Sequence, residues 1–200
     1  MKRPSFNIAC GPSQRALALG LGLLSLAVAA APAWADVVRL QIDPAESAVT
    51  FKATSRLANA DGRFHRFSGD VSVDPSDPTS ARVTITVEAA SIDTANNKRD
   101  NHLRSQDFFW VERHPTIVFE SVRAAPEAGG VAVVGRLTVR GVTRDVTVPV
   151  RVEVTPDRLV ARGEFSLKRT DYEINYQSVL NPVGDVVEVS FVFRGRRVAP

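Results

Sequence analysis

Apolar and polar residues alternate with a period of two along most of the chain after residue 36. The clearest case is the stretch 142–154, where six valines share one parity and threonine or charged residues fill most of the other. Such a pattern predicts a strand with one buried face. Similar runs predict eight or nine strands in total. Their apolar positions are Val38, Leu40, Ile42; Val49, Phe51, Ala53; Phe67, Gly69, Val71, Val73; Val83, Ile85, Val87; Ile117, Phe119; Val131, Val133, Leu137, Val139; Leu159, Ala161, Phe165; and Val187, Val189, Phe191, Phe193.

Short turn sequences separate these strands. D-P-S-D-P at residues 74–78, E-A-G-G at 127–130, R-G at 140–141 and P-D at 156–157 are typical of tight reversals. Short connections favour antiparallel neighbours. The residues therefore predict an all-β domain that is either a closed barrel or a two-sheet sandwich, and barrel closure also removes exposed strand edges.

One segment, residues 93–113, lacks the alternation. Asp93 or Thr94 is a candidate N-cap for a short helix that places Leu103 near Phe108 and Phe109. Pro115 prevents the helix from continuing. We expect a short helix inserted between two strands, which closes one end of the barrel.

The first 35 residues have the layout of a secretory signal. Lys2, Arg3 and Arg15 precede an apolar run at residues 16–31, and A-W-A at residues 33–35 supplies a cleavage site. The run is shorter than a membrane span and contains two glycines. We expect a signal peptide at 1–35, a single domain at 36–200 without a membrane segment, and export to the periplasm. Cys10 would be removed with the leader.

The charge of the remaining chain is balanced. The sequence has 25 Lys plus Arg and 22 Asp plus Glu, and the first 35 residues hold three of the cations and no acid. The rest therefore carries 22 charges of each sign. A nucleic-acid binder needs a surplus of cations, so none is expected as a partner. This overall balance does not exclude a local basic patch.

No pattern in the sequence specifies catalysis or a metal. His65, His102 and His114 have no neighbouring His or Cys at ligand spacing, and a shared metal at Asp100 and His102 is weaker than a structural pairing. Ser105 lies three residues after His102, where the two side chains do not converge on one reacting atom. We expect no catalytic residue, no metal and no cofactor, and we read the abundance of arginine, Arg99 and Arg104 included, as compositional.

The aromatic residues are more informative. Six phenylalanines fall on the inward parity of their strands, and three more aromatic residues follow the helix. An eight-stranded barrel has room for one small ligand beside its own side chains. The interior is thus a candidate site for a hydrophobic ligand. The candidate ligand-contacting residues are Phe51, Phe67, Val71, Ile85, Val87, Leu103, Phe108, Phe109, Ile117, Phe119, Leu137, Val148, Phe165, Phe191 and Phe193.

A series of short motifs follows the leader. The series comprises S-I-D-T at residues 91–94, K-R-D-N-H-L-R-S at 98–105, D-F-F at 107–109, H-P-T at 114–116 and F-E-S at 119–121, with G-R-F-H-R-F-S-G at 62–69, and G-R-L-T at 135–138 followed by G-V-T at 141–143. In order and spacing these motifs resemble those of the YceI-like exported proteins, and the match extends over most of the chain after the leader. Two positions depart from the family pattern: residues 55–59 lack a longer, His-containing segment, and Glu173 stands where a glycine is common.

The resemblance implies a lipocalin-like barrel that binds a polyisoprenoid or another long apolar lipid, quinone-like lipids included, without catalysing a reaction. Two other classes stay open: an enzyme or accessory factor acting on a quinone or lipid through the Asp100–His102 region, and a module that binds a membrane redox partner. The patterns do not fix the oligomeric state, and a homodimer is one state that they allow.

Overall fold

The computed structural model describes residues 37–55, 59–178 and 182–198. The predicted leader and Cys10 lie outside the described residues. The described chain contains eleven strands and one α-helix. These are β1 (Val38–Ile42), β2 (Ala48–Ser55), β3 (Ala60–Phe64), β4 (Phe67–Asp74), β5 (Asp77–Glu88), β6 (Ile92–Asp93), α1 (Asn97–Arg104), β7 (Thr116–Glu127), β8 (Gly130–Val139), β9 (Val142–Val154), β10 (Arg158–Lys168) and β11 (Val183–Arg197).

Eight of these strands close into an antiparallel barrel. The hydrogen-bonded order is β1-β4-β5-β7-β8-β9-β10-β11, and β11 pairs again with β1. The remaining strands, β2, β3 and β6, extend one end of the wall, because β2 pairs with β11 beyond β1 and carries β3 and β6 beside it. The fold prediction of an all-β barrel with about eight strands is confirmed, and the sandwich alternative is wrong.

The alternation predicted from the sequence corresponds to the inner and outer faces of the wall. In β8 the odd-numbered residues from Val131 to Val139 are buried. Of the even-numbered residues, Arg136 is exposed and the others are half-buried. The four predicted turns all lie between consecutive strands. At the β8–β9 turn, Arg140 and Gly141 have φ of 51° and 76°, the two positive values that a tight two-residue hairpin turn requires.

The inserted helix begins later than the sequence indicated. Its N-cap is Asn96, whose side-chain oxygen accepts from the Arg99 amide at 3.1 Å. Thr94 instead donates to the buried Asp100, and Asp93 accepts from the Ala95 amide at 2.8 Å. Ala95 has a φ of 57°, so the chain turns there and cannot start the helix at Asp93 or Thr94. The prediction of these two residues as N-caps is therefore wrong.

Glu173 stands in a conformation that favours glycine. Its φ is 59° and ψ is 23°, directly after the 3-10 turn Arg169–Tyr172. A left-handed conformation destabilises a non-glycine residue by roughly 1–2 kcal/mol, while a glycine lowers stability by about 0.4–1 kcal/mol through the unfolded chain. We expect Glu173→Gly to raise the free energy of unfolding by about 0.5–1 kcal/mol in a denaturant titration.

Glu164→Gly is a matched control for this substitution. Glu164 is also an exposed glutamate, but it lies within β10 without a positive φ. Glycine there should lower stability by roughly 0.5–1 kcal/mol. Equal effects of the two substitutions would show that the backbone at Glu173 is not strained.

Candidate functional site

The barrel encloses an apolar cavity of about 510 Å³. Its volume lies within the range of small-molecule sites, roughly 300–1,000 Å³. Side chains from the barrel strands, from β2 and β3 and from the inserted helical segment line it. Fourteen of the fifteen candidate ligand-contacting residues are among them: Phe51, Val71, Ile85, Val87, Leu103, Phe108, Phe109, Ile117, Phe119, Leu137, Val148, Phe165, Phe191 and Phe193.

Phe67 is the candidate that does not line the cavity. It is only 8% exposed, and its ring centroid lies 5.9 Å from that of Phe193. Phe67 points inward, as its parity indicated, but packs in the core. Alternation identifies the face of a strand and carries no information on which inward residues are covered by others.

The cavity is also lined by residues outside the fifteen candidates. Some of them are apolar residues at inward positions of the alternating strands, and others are polar. The unselected apolar residues include Val131, Val133, Val150, Val152 and Leu159, for which alternation was a sufficient signal. The polar ones come from separate parts of the chain. Arg99 and His102 belong to the K-R-D-N-H-L-R-S motif, but hydrophobic alternation does not identify any of the polar lining residues. They are Thr54, Ser55, Arg99, His102, Arg169, Tyr172, Tyr176 and Ser178.

Glycines in the wall keep three phenylalanine rings flat against it. A Cβ atom at each of these glycines would come within 2.4–2.5 Å of the nearest ring atom, far inside van der Waals contact. The rings therefore occupy the space that a side chain would fill, and the centre of the barrel stays open. The pairs are Phe51 with Gly62, Phe119 with Gly135, and Phe191 with Gly163.

Replacing one of these glycines should make the cavity smaller. The three atoms nearest to a Cβ at Gly62 all belong to side chains, two to the Phe51 ring and one to the Thr94 methyl, so the ring can swing into the lumen. If it displaces one or two carbons of a bound chain, at about 0.8 kcal/mol per CH₂, Gly62→Ala should weaken binding of a long apolar lipid about tenfold. A fluorescence titration with a labelled polyprenol measures this.

The second-site variant Phe51→Leu distinguishes lost space from a damaged fold. In the Gly62→Ala background the smaller side chain should restore affinity, because the displaced ring is gone. If the double variant binds no better than Gly62→Ala, the affinity loss does not come from the ring.

The α1 segment places polar groups beside the lumen. Arg99 donates from Nε to the Thr94 hydroxyl and from Nη2 to the Thr94 carbonyl, both at 2.8 Å. His102 Nε2 lies 3.0 Å from Asp107 Oδ2, and its ring meets the Tyr176 ring edge-on with centroids 4.7 Å apart. These contacts form a polar patch at an otherwise apolar cavity.

The side chains of Asp100 and His102 have different hydrogen-bond partners. Asp100 is 4% exposed and accepts from the Thr94 amide and hydroxyl at 2.9 and 2.6 Å. Ser105 donates its hydroxyl to the His102 carbonyl, at 2.7 Å, rather than to the ring. Across the described residues, no group of three or more His, Cys, Asp and Glu side chains is placed to hold a metal ion.

The arginines of this region have defined structural contacts. Arg104 donates to the carbonyls of Ala90 and Ile92 at 2.8 and 2.6 Å, which attaches α1 to the strand before it. Arg169 is buried and donates to the carbonyls of Ile174, Val183 and Gly184. The expectation that the arginines only reflect the composition of the chain therefore does not account for Arg104 and Arg169, which hold backbone carbonyls.

Tyr172 adds a phenol to the lining without adding charge. It is 2% exposed, and burial raises the pKa of its hydroxyl to about 12, with the negative charge of Asp171 acting in the same direction. The side chain stays neutral at physiological pH. The lumen wall at this point is therefore compatible with an apolar ligand.

Similar proteins are found by sequence over most of the described chain. Residues 40–194 match a YceI-like domain. A UPF0312 protein of Pseudomonas aeruginosa is 33% identical over 142 residues, which is 68% of this chain and 73% of that protein. A UPF0312 protein of Shewanella baltica is 35% identical over 132 residues, which is 65% of this chain and 67% of that protein.

Solved structures share the fold. The crystal structure of BcnA from Burkholderia cenocepacia superposes with a TM-score of 0.70 at 27% identity, covering 76% of this chain and 98% of BcnA. A polyisoprenoid-binding domain from Saccharophagus degradans, implicated in plant cell wall breakdown, superposes with a TM-score of 0.65 at 16% identity. That match covers 81% of this chain and 99% of the domain.

Proposed function

Because the chain belongs to the YceI-like domain family, we propose that it holds a polyisoprenoid or another long apolar lipid in its barrel, for transport, storage or sequestration. The observation that carries the proposal is the apolar cavity of about 510 Å³ inside the barrel. A quinone-like lipid with a long tail belongs to the same ligand class. The polyisoprenoid-binding domain of Saccharophagus degradans has the same fold, which supports polyisoprenoids as the first ligands to test.

The energetics of burial favour a long chain over a compact ligand. Each buried CH₂ contributes about 0.8 kcal/mol, so one five-carbon isoprene unit contributes roughly 3–4 kcal/mol before ordering costs. A few units would dominate the affinity. The polar patch of Arg99, His102 and Tyr176 would then act mainly on the selectivity for a head group.

We also propose that the lipid is bound without being altered and that binding takes place in the periplasm. The proposal of export rests on the signal-peptide pattern of the first 35 residues. In the described part of the chain, no helix has the length and apolar character needed to span a membrane.

The test is the identity of the lipid that accompanies the protein. Protein purified without detergent from a periplasmic extract should yield, on solvent extraction and mass spectrometry, a long-chain lipid in near-stoichiometric amount. Emptied protein should take up the same lipid and return it chemically unchanged. Repeated recovery of empty protein that takes up no polyprenyl lipid would refute the proposal, and a modified lipid would indicate an enzyme.

A further inference from the structure

The barrel wall has an opening between β9 and β10. The ladder between these strands joins Val150–Val154 with Leu159–Gly163 and ends there. β9 continues through residues 142–149 in register with β8, and β10 continues through residues 164–168 in register with β11. Within the described chain no strand pairing joins these two continuations. We refer to the gap between residues 142–149 and 164–168 as the seam.

Pro149 explains why the ladder stops. It is the first β9 residue beyond the ladder, and its carbonyl oxygen lies on the β10 side, 2.8 Å from the Cβ position of Gly163. In an antiparallel strand the N and the carbonyl of one residue face the same neighbour. The nitrogen of Pro149 therefore faces β10 as well and has no hydrogen to donate.

The seam opens into a cleft that shares its floor with the lumen. The cleft measures about 490 Å³, and three of its lining residues, Phe165, Leu167 and Tyr172, also line the central cavity. Phe165 and Leu167 are half-buried and Tyr172 is buried. The partition between cleft and lumen at this point thus consists of side chains.

The outer edge of the cleft contains one exposed apolar residue and several charged ones. Val186 is 49% exposed there, one of the most exposed large apolar residues in the described chain. A hydrogen bond crosses the far end, where Arg144 Nε donates to the Asp171 carbonyl at 3.0 Å. Lys168 and Asp145 complete a charged rim.

We propose that the seam is a lateral entrance through which the apolar chain of a lipid passes between the surroundings and the lumen. This inference rests on the proposed function. Passage through an intact ladder would break several backbone hydrogen bonds, each with a net contribution of about 1 kcal/mol. Passage through the seam requires rotation of Phe165 and Leu167 and release of the Arg144 contact. A long chain can then enter along its length, segment by segment.

The test closes the seam with a covalent link. In a Cys10→Ser background the sequence has no other cysteine, so Thr147→Cys and Ser166→Cys introduce the only thiols. Extending the ladder register places these two exposed residues opposite each other across the seam. The protein is loaded with a fluorescent polyprenol and then treated with a short bismaleimide that contains a cleavable disulfide. Transfer of the probe to phosphatidylcholine vesicles is then followed over time.

We expect linking to slow the transfer at least tenfold and cleavage of the linker to restore it. The control is the pair Arg151→Cys and Arg162→Cys, which face each other in the intact ladder and are both exposed. Linking that pair should leave the rate unchanged. Normal uptake with an unchanged transfer rate after seam linking would overturn the lateral entrance alone. Failure of the unlinked protein to take up the probe would overturn the proposed function and, with it, the entrance.

Discussion

Phe191→Asp should reduce the affinity of the barrel for a long apolar lipid at least 100-fold. Phe191 lines the cavity, stacks on Phe193 with ring centroids 4.8 Å apart and lies over Gly163. The substitution removes an aromatic contact, at about 1.5–3 kcal/mol. It also places a carboxylate where a bound lipid would exclude water, which adds further free energy. A total of about 3 kcal/mol corresponds to the expected change in the dissociation constant.

The next residue along β11 is the matched control. Val192 is half-buried like Phe191 but has the opposite parity, and it stands opposite Arg162 in β10. Val192→Asp introduces the same charge on the outer face and should leave lipid affinity within twofold. Circular dichroism and thermal melting verify that both variants fold. A folded Phe191→Asp protein with unchanged affinity would show that the lipid does not contact this face of β11.

Most of the wall could be predicted because each strand carries its own pattern. The alternation from Val142 to Val154 is sufficient to identify β9 and its buried face. β3 and β6 were missed by alternation alone, since β6 has two residues and β3 has the sequence A-D-G-R-F. The start of α1 could not be fixed, because the positive φ of Ala95 follows from the contacts that Thr94 and Asp93 make in the folded chain.

The sequence of a single strand predicts which residues face the interior, and the prediction of the site ends there. Alternation places both Phe191 and Phe67 on the inward face of their strands, but Phe191 lines the cavity while Phe67 packs against Phe193 in the core. The depth of a residue depends on neighbours that are distant in sequence. The seam shows the same limit, since Pro149 sits inside an uninterrupted alternating run and its effect depends on which neighbour its nitrogen faces.

Arg169 is the clearest case of a role that depends on distant partners. Its side chain is buried among three backbone carbonyls, those of Ile174, Val183 and Gly184, in the segments before and after residues 179–181. Such a contact set has no counterpart in the local sequence. The guanidinium attaches the end of β10 to the start of β11, and it does so at the edge of the lumen.

Arg169→Met should lower the free energy of unfolding by about 3–5 kcal/mol. Methionine approximates the length and apolar stem of arginine, but it leaves three buried carbonyls without their donors, and each loss contributes roughly 1–3 kcal/mol. For a domain of this size the melting temperature should fall by about 10 °C. Chemical denaturation and calorimetry measure both quantities.

Two further variants separate the donor geometry of Arg169 from its charge. Arg169→Lys keeps the charge but lacks the planar fork, so it should recover at most about half of the lost stability. Arg162→Met removes an exposed β10 arginine whose nearest carboxylate, on Glu153, lies 3.8 Å away, and it should change stability by less than about 0.5 kcal/mol. If Arg169→Met is as mild as Arg162→Met, the three carbonyls do not depend on the guanidinium, and water takes its place.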